Sequence, residues 1–467
     1  MELWQCGATE LARLIRERKA SSREAVQAAL KRIDAVNPRL NAVVDLLAEE
    51  ALADADRKDA SVRQGAPLGA LHGVPVTLKI NVDFAGRATT NGVVAFKDAI
   101  AAADGSPVAS WRRSGAVFIG RTNVPAFSTR YFTDNALHGR TLNPWDASRT
   151  PGGSSGGAAA ALAAGIGALA HGNDRAGSIR YPSYACGVFG LRPTLGRIAN
   201  VEPVAPDSIA ITTQLANTQG PLARSVRDLR LGAMAMSAYD ARDPWFAPVP
   251  WREEVPAPGR VALWTGNAHP AVAQAVRLAA RWLEEAGYKV EEAAPPRLEE
   301  AGELFFTLIA SEGAVSKEDR AGTTRAIEAL GDEPAKRARR STIAAVKPLD
   351  YEGYVAAFAR RGAILRAFQL FFERYQLLLL PVSLEPPFPV DEDQKGDAAV
   401  ARMLKAQAPM LAASALGLPG VAAPALLHEG VPVGVQLLGP RFGDEALLAA
   451  AEAIEARTAV RTPIDPR

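Results

Sequence analysis

Two serine-containing loops and one lysine are the residues of this 467-residue chain whose types and spacing suggest catalysis. The segment GGSSGG places Ser154 and Ser155 between glycines, and Ser178 follows Gly177 in AGSIR. Glycine-rich turns beside hydroxyl groups occur as phosphate loops, nucleophile loops or tight turns. A phosphate loop needs Gly-Lys-Ser/Thr at its end, or G-x-G-x-x-G directly after a strand, and the sequence has neither.

The GGSSGG segment also matches the nucleophile-elbow pattern G-x-S-x-G, through Gly152, Ser154 and Gly156. An elbow follows an apolar strand, whereas the preceding TLNPWDASRTP contains two prolines and no such strand. An elbow enzyme also needs a histidine base, and no supporting motif surrounds the histidines at positions 72, 138, 171, 269 and 428. A Ser-His-Asp esterase is therefore a disfavoured alternative.

A lysine can replace histidine as the base when burial keeps it neutral, because removal from water lowers the pKa of a lysine. Lys79 stands near the end of GVPVTLKI, an apolar and β-branched run that predicts a strand over 73–80. An ammonium group there would be poorly solvated. Lys79 is therefore a candidate general base.

The combination of Lys79, GGSSGG and GSIR resembles the amidase signature family, serine hydrolases that use a Ser-Ser-Lys triad. Further segments, in family order, extend the resemblance over nearly the whole chain: SSREAVQAALKRIDAVNPRLNAVV, LHGVPVTLKINVDFAG, AVFIGRTNVPAFS, TDNALHGRTLNPWD, CGVFGLRPTLGRI and GVPVGVQLLGP. The resemblance implies an α/β fold: a single large domain with a central twisted mixed β-sheet covered by helices on both faces.

The resemblance implies Ser178 as the nucleophile, Ser154 as a bridging serine and Lys79 as the base. Ser154 would follow a cis peptide bond and relay a proton between the other two residues. Four consecutive backbone N–H groups would form the oxyanion hole: those of Arg175, Ala176, Gly177 and Ser178.

Asp174 and Arg180 flank the nucleophile, and the resemblance implies that this pair supports the loop and transfers no proton. Ser155 is a further supporting residue, whose hydroxyl we expect to bond to the loop backbone. The segment DRAGS departs from the commoner Asp-Thr-Gly-Gly-Ser pattern at Arg175 and Ala176. Arg175 is either an exposed loop arginine or a group that recognises a polar part of the substrate.

The resemblance places an acyl-side pocket between Lys79 and Ser154, where FSTRYF contributes aromatic side chains. The predicted lining residues are Phe127, Tyr131, Phe132 and Arg175. Because no carboxylate or glutamine clamp is evident, we expect small, neutral apolar or aryl amides as substrates. Carbamates (urethanes) and esters pass through a similar tetrahedral intermediate and are also expected. A non-hydrolytic or ammonia-releasing, amidase-like subunit of a transamidation complex is the other alternative.

The order of elements predicts four parts of one domain rather than independent domains. These parts are N-terminal helices over 1–60, a catalytic core over 61–240, a helical elaboration over 241–375 and a return to the sheet over 376–467. A capping box at Ser21 and Glu24 predicts a helix start. The apolar run Ala158 to Ala170 predicts a buried helix that is too short for a bilayer span.

The composition excludes several classes of protein. A net charge of +2, with 48% hydrophobic and 22% charged residues, is typical of a globular protein without nucleic-acid or membrane partners. Two cysteines cannot form a disulfide framework and the first residues show no export signal, so we expect a cytoplasmic protein, monomeric or homodimeric. No metal or cofactor motif is present in the sequence, and we expect neither.

Overall fold

The computed structural model describes residues 2–202, 209–252, 254, 256–315 and 323–467. Within them, one β-sheet of eleven strands runs through the molecule. Numbered along the chain, the strands are β1 Val43–Leu46, β2 Pro75–Lys79, β3 Val117–Thr122, β4 Leu169–Asp174, β5 Phe189–Arg192, β6 Thr218–Ala223, β7 Arg260–Leu263, β8 Lys289–Glu292, β9 Leu377–Pro381, β10 Gly420–His428 and β11 Val431–Leu438.

Helices connect most of these strands. Those in the described residues are α1 Ala8–Arg16, α2 Ser22–Leu40, α3 Ala48–Arg63, α4 Ser106–Arg113, α5 Gly156–Ala163, α6 Arg180–Cys186, α7 Ile211–Ala216, α8 Val226–Met236, α9 Pro270–Glu285, α10 Leu298–Val315, α11 Thr324–Leu330, α12 Glu333–Ala345, α13 Tyr351–Arg374, α14 Asp397–Ala406, α15 Ala408–Leu416 and α16 Asp444–Glu455. The predicted capping box is present at the start of α2, where Ser21 and Glu24 each accept the other's backbone N–H.

The sheet is mixed, as the sequence predicts. Its strand order is β1-β3-β2-β4-β6-β5-β10-β11-β9-β7-β8. Strands β3, β2 and β4 are parallel to one another, and so are β9, β7 and β8. The strands between these two groups pair antiparallel. The α/β fold in one large domain is confirmed.

Both faces of the sheet carry a hydrophobic core, because successive strand residues point to opposite faces. Phe118 of β3 packs in a core that includes residues of α4, α9 and α16, while its neighbours Val117 and Ile119 pack against α2 and α5. In β9 the alternation is the same, since Leu377 and Leu379 join the first core, whereas Leu378 and Leu380 pack with residues of α10, α13 and α15. Helices therefore cover both faces, as predicted.

The predicted helix over Ala158 to Ala170 is wrong in its second half. Helix α5 ends at Ala163, and β4 begins at Leu169. Gly165 and Gly167 between them have φ values of +84° and +72°, which favour glycine and end the helix. The apolar run is thus a buried helix, a turn and the start of the strand that leads to the second serine loop.

The segment 241–375 does more than add helices. It supplies β7 and β8, which extend the sheet at one edge. Its helices α10 and α12 also reach the central cavity described below, through Phe306, Ile309 and Arg339. None of the helices in the described ranges is long and apolar enough to span a bilayer.

Candidate active site

Lys79 is the last residue of β2 and is fully buried. Its Nζ lies 2.6 Å from Oγ of Ser154 and donates a hydrogen bond of 2.7 Å to Oδ1 of Asn173. Asn173 lies on β4, which pairs with β2 in parallel. The sheet thus holds the lysine and its asparagine partner on adjacent strands, with the serine directly beside them.

Burial dominates the electrostatics of Lys79 and lowers its pKa well below that of a solvated lysine. The negative charge of Asp174 opposes this change, and the positive charge of Arg175 adds to it. A neutral amine can donate to Asn173 and still present a lone pair to the Ser154 hydroxyl. The geometry therefore suits a lysine that accepts a proton.

The two serine loops lie side by side. The backbone N–H of Ser155 donates to the carbonyl oxygen of Ser178 at 3.1 Å, and the peptide bond between Gly153 and Ser154 is cis, as the resemblance implies. Ser154 is 1% exposed and Ser178 8% exposed, and both line the same cavity. Within the described residues no hydrogen bond joins the two Oγ atoms. Lys79 is hydrogen-bonded to Ser154, and Ser178 lies on the same cavity without a hydrogen bond to the Ser154 hydroxyl.

An amide network behind Lys79 is a feature that the sequence did not reveal. The Asn173 side chain donates to Oδ1 of Asn81 at 3.1 Å, Asn81 donates to Oγ of Ser128, and Ser128 donates to Oδ1 of Asn91. All four side chains line the cavity. The network fixes the orientation of the Asn173 carbonyl oxygen and therefore of the lysine that donates to it.

Asp174 occupies the centre of the second loop. It accepts hydrogen bonds from Nε and Nη2 of Arg180 at 2.9 and 3.0 Å, and Arg192 donates to it at 3.3 Å. All three side chains are fully buried. Burial raises the pKa of Asp174, but the charges of Arg180 and Arg192 outweigh this and hold it well below its usual range. The carboxylate is therefore ionised and braces the loop.

Arg180 connects this loop to the rest of the fold. Its remaining donors bond to the carbonyl oxygen of Met410, to Oε1 of Gln436 and to Oγ of Ser414. Met410 and Ser414 lie on α15, and Gln436 lies on β11. The predicted pair of Asp174 and Arg180 is thus present, and its contacts are those of a support.

Removing this support has a measurable consequence for stability. We expect Asp174→Asn to lower the free energy of unfolding by about 3–5 kcal/mol, because Arg180 and Arg192 stay buried without a carboxylate. Urea unfolding measures the loss. Since folding lowers the pKa of Asp174, its stabilisation is present above the ordinary aspartate pKa and is lost as the pH falls below it.

The matched control is Glu285→Gln, which removes the exposed partner of Arg457. Exposed pairs contribute about 0–1 kcal/mol, so this variant should unfold almost as the unsubstituted protein does. An Asp174→Asn variant as stable as the control would contradict the bracing role.

The predicted oxyanion donors are only partly available in this structure. The N–H of Gly177 donates to Oδ1 of Asp174 at 2.8 Å and so is already engaged. Among the described residues no acceptor engages the backbone N–H groups of Arg175, Ala176 and Ser178. Gly177 has a φ of +93°, and a Cβ on it would overlap the side chain of Met410. Position 177 therefore requires glycine for its backbone conformation and for the space beside Met410. The other three predicted donors, the N–H groups of Arg175, Ala176 and Ser178, are free for a ligand.

Ser155 departs from its expected contact. Its hydroxyl is fully buried and has no hydrogen-bond partner among the described residues, so it does not bond to the loop backbone. Its backbone N–H makes the contact between the loops instead. Support from Ser155 thus comes from its main chain.

The cavity beside the two serines has a volume of about 230 Å³. Three of the four predicted lining residues border it: Phe127, Tyr131 and Arg175. Tyr131 also donates from its hydroxyl to the carbonyl oxygen of Ala176 at 3.0 Å. Phe132 does not line the cavity, because its side chain packs in the core that holds α4 and α9. The prediction for Phe132 is therefore wrong.

None of the five histidines is among the residues that line this cavity. His171 is buried, with Nε2 2.8 Å from Oε1 of Gln219, and burial lowers its pKa to about 3. The geometry thus gives a Ser-His-Asp arrangement no support. Among the described residues, no three His, Cys, Asp or Glu side chains are grouped so that they could hold a metal ion.

Comparison with known proteins gives three informative similarities. The profile of the family described as Amidase matches residues 24–448. An indoleacetamide hydrolase of Bradyrhizobium diazoefficiens is 43% identical over 464 residues, which cover 98% of this chain and 87% of the relative. A glutamyl-tRNA(Gln) amidotransferase subunit of Moorella thermoacetica is 33% identical over 484 residues, which cover 98% of each chain.

A solved structure also places this chain among the amidases. A bacterial aryl acylamidase of the amidase signature family has 27% identity and a TM-score of 0.83, and the match covers 97% of this chain and 96% of that one. The resemblance seen in Lys79, GGSSGG and GSIR is thereby confirmed. This chain belongs to the amidase family, and it is an amide-hydrolysing enzyme.

Proposed function

We propose that this enzyme hydrolyses small amides through an acyl-enzyme on Ser178, with Ser154 as proton relay and Lys79 as general base. The observation that carries the proposal is the 2.6 Å contact between Nζ of a fully buried lysine and Oγ of Ser154, beside a second serine on the same cavity. A lysine with a lowered pKa is a competent base at neutral pH.

In the acylation step, Oγ of Ser178 attacks the amide carbonyl carbon. The Ser178 proton passes to Oγ of Ser154 as the Ser154 proton passes to Nζ of Lys79. This requires the Ser178 side chain to turn toward Ser154, since catalytic hydrogen bonds often tighten only in the substrate complex. The return of the proton to the leaving nitrogen releases ammonia or an amine, and water then repeats the sequence on the ester.

The negative charge that develops on the carbonyl oxygen needs donors fixed in advance. The free N–H groups of Arg175, Ala176 and Ser178 are proposed as those donors. Asp174 holds the turn that aims them, through its bonds to Gly177 and Arg180. Removing one such donor typically costs about 3 kcal/mol of transition-state stabilisation.

For the substrate we propose an amide with an apolar or aryl acyl group. Much of the cavity lining is apolar, and it includes Phe127, Phe306, Ile309, Val400, Met403 and Leu404. The relatives named as indoleacetamide hydrolase and aryl acylamidase support amides that carry an aromatic group. Carbamates and esters are proposed as further substrates, because their hydrolysis passes through the same kind of tetrahedral intermediate.

The test is a turnover screen of the purified chain with phenylacetamide, acetanilide, butyramide, a phenyl carbamate and a phenyl ester, and with the Ser178→Ala protein as blank. The proposal predicts turnover of at least one aryl amide above the blank. If no amide is hydrolysed by the single chain, membership of a transamidation complex becomes the better account, as the more distant Moorella relative suggests.

The pH dependence of the reaction gives a second prediction. Only neutral Lys79 accepts a proton, so kcat/KM should rise with pH through its pKa. Arg175 lowers that pKa, and Arg175→Gln should therefore move the acid limb to higher pH. The control is Arg340→Gln, which changes an exposed arginine paired with Glu328. A rate that does not fall at acid pH would contradict lysine as the base. So would an acid limb that Arg175→Gln shifts no more than the control does.

We further propose that the enzyme acts in a reducing compartment such as the cytoplasm, as a monomer or homodimer. The buried free thiols of Cys6 and Cys186 support the reducing compartment.

A further inference from the structure

Two arginines line the catalytic cavity, and neither has a carboxylate partner among the residues that the structure describes. Nη1 of Arg175 donates to Oγ1 of Thr213 at 3.1 Å, and Arg339 on α12 donates from Nε and Nη2 to Oγ1 of Thr324 at 3.1 and 3.0 Å. Both side chains are half-buried. Within the described residues no Asp or Glu oxygen lies within 4.0 Å of either guanidinium. The side-chain hydrogen bonds that each arginine makes to the described part of the chain go to a neutral threonine hydroxyl.

The remaining charges of the cavity wall do not offset these two. Arg130 and Asp393 also line it, but they neutralise each other through hydrogen bonds of 2.7 and 2.9 Å. Glu312 on α10 attracts Arg175 from a distance. Its carboxylate is engaged with the hydroxyl of Tyr354 and the backbone N–H of Thr212. Among the described residues that line the cavity, the charged side chains therefore leave two positive charges in excess, and Glu312 lies outside this lining.

The structure accommodates the Arg339 guanidinium near Arg175, although the two positive charges repel each other. A Cβ on Gly313 of α10 would overlap Nη2 of Arg339, so glycine at that position lets the guanidinium approach. Burial lowers the pKa of Arg339 to about 10, and the positive charge of Arg175 contributes to that change. Two cations that repel each other in a partly dry cavity are unfavourable unless an anion joins them.

We propose that Arg175 and Arg339 form an anion subsite that binds a carboxylate carried by the amide substrate. The inference rests on the proposed function, because the subsite opens on the cavity that holds Ser178. The apolar side chains of the cavity accommodate the aryl body, and the two guanidiniums bind a charged substituent. The sequence predicts neutral substrates, and it leaves open whether Arg175 recognises a polar part of them. Guanidinium groups pair with carboxylates through short, charge-assisted hydrogen bonds.

The experiment compares primary amides that differ only in charge: 3- and 4-(carbamoylmethyl)benzoate against 3- and 4-methylphenylacetamide, with succinamate against butyramide. The readout is the ratio of kcat/KM for the anionic amide to that for its neutral partner. We expect a ratio above about 10 for at least one pair, since a hydrogen bond to a charged group contributes about 1.5–3 kcal/mol. Raising the salt concentration should lower this ratio.

Variants locate the effect. Arg339→Gln should lower the ratio by about tenfold or more, mainly through a higher KM for the anionic amide. Arg339→Lys should restore part of the ratio, because the charge returns without the planar fork. The matched control is Arg340→Gln, one residue along α12 and exposed, which should leave the ratio unchanged. A ratio near one in the unsubstituted enzyme, or one that Arg339→Gln does not change, would overturn the subsite.

A binding measurement separates failure of the subsite from failure of the proposed function. Calorimetry with the Ser178→Ala protein measures the affinity for 4-(carbamoylmethyl)benzoate without turnover, and Arg339→Gln in that background should weaken it about tenfold or more. If no amide is hydrolysed but this weakening is seen, the proposed function fails and the subsite stands. Sodium phosphate is the competing probe. Tighter binding of phosphate than of the carboxylate would overturn the assignment to substrate.

Discussion

Ser178→Ala is expected to lower kcat for amide hydrolysis by about 10⁶-fold, the scale on which loss of the nucleophile acts in serine hydrolases. The reason is that Ser178 forms the acyl-enzyme in the proposed mechanism, while Ser154 is hydrogen-bonded to Lys79 and is proposed as the relay. Steady-state hydrolysis of the best aryl amide measures the loss. The folded state should be retained, because alanine keeps the backbone of the Asp174 loop.

The control for this variant is Ser155→Ala. Ser155 stands in the other serine loop, and its hydroxyl has no hydrogen-bond partner among the described residues. Its loss should change kcat far less than the loss of the Ser178 hydroxyl. Equal losses in the two variants would place the nucleophile in GGSSGG and contradict the assignment of Ser178.

Lys79→Met is expected to lower kcat by about 10²–10⁴-fold, the usual contribution of a positioned general base. Methionine has a similar length and suits the dry environment at the end of β2, so the loss should be in catalysis and not in folding. The acid limb of the pH profile should disappear with the lysine. Rates from pH 5 to 10, together with the melting temperature, measure both effects.

A double-mutant cycle sharpens the Lys79 prediction. If Lys79 acts only through Ser154, then Lys79→Met combined with Ser154→Ala should lose little more activity than the worse of the two single variants. Fully additive losses would mean that the lysine and the serine act independently. Additivity would also leave the 2.6 Å contact between them without a catalytic meaning.

The sequence predicts the fold best where its pattern and its motifs agree. An apolar run that begins at a glycine predicts a strand over 73–80, and β2 is observed there at Pro75–Lys79. The charged strand β8 was not predicted, because KVEE lies at the sheet edge and has no buried apolar face. The helix predicted over Ala158 to Ala170 was too long, because small apolar residues suit a helix, a turn and a strand alike.

Some residues of the site could be predicted from the sequence, and others could not. Lys79, Ser154, Ser178, Asp174 and Arg180 could be found because each lies in a short motif of fixed spacing. The contacts of Asn173 and Arg339 could not, because they depend on which distant elements are adjacent in space. Asn173 meets Lys79 only because β4 pairs with β2, and Arg339 reaches the cavity from a helix far along the chain.

Pocket lining is harder still to predict from sequence. Phe127, Tyr131 and Phe132 stand close together in one irregular segment, yet only the first two border the cavity. No periodicity decides the direction of a side chain in such a loop, and the core accepts an aromatic ring as readily as a pocket does. The conformation of the loop is settled by packing of elements that lie elsewhere in the chain.

Ser178 is proposed as the nucleophile, activated through Ser154 by Lys79. The most direct measurement is mass spectrometry of the protein after reaction with an arylsulfonyl fluoride, followed by peptide mapping. The account predicts one adduct per chain on the peptide that contains Ser178, much slower labelling of Lys79→Met and no adduct on Ser178→Ala. An adduct on Ser154 or Ser155, or an unchanged adduct on Ser178→Ala, would contradict it.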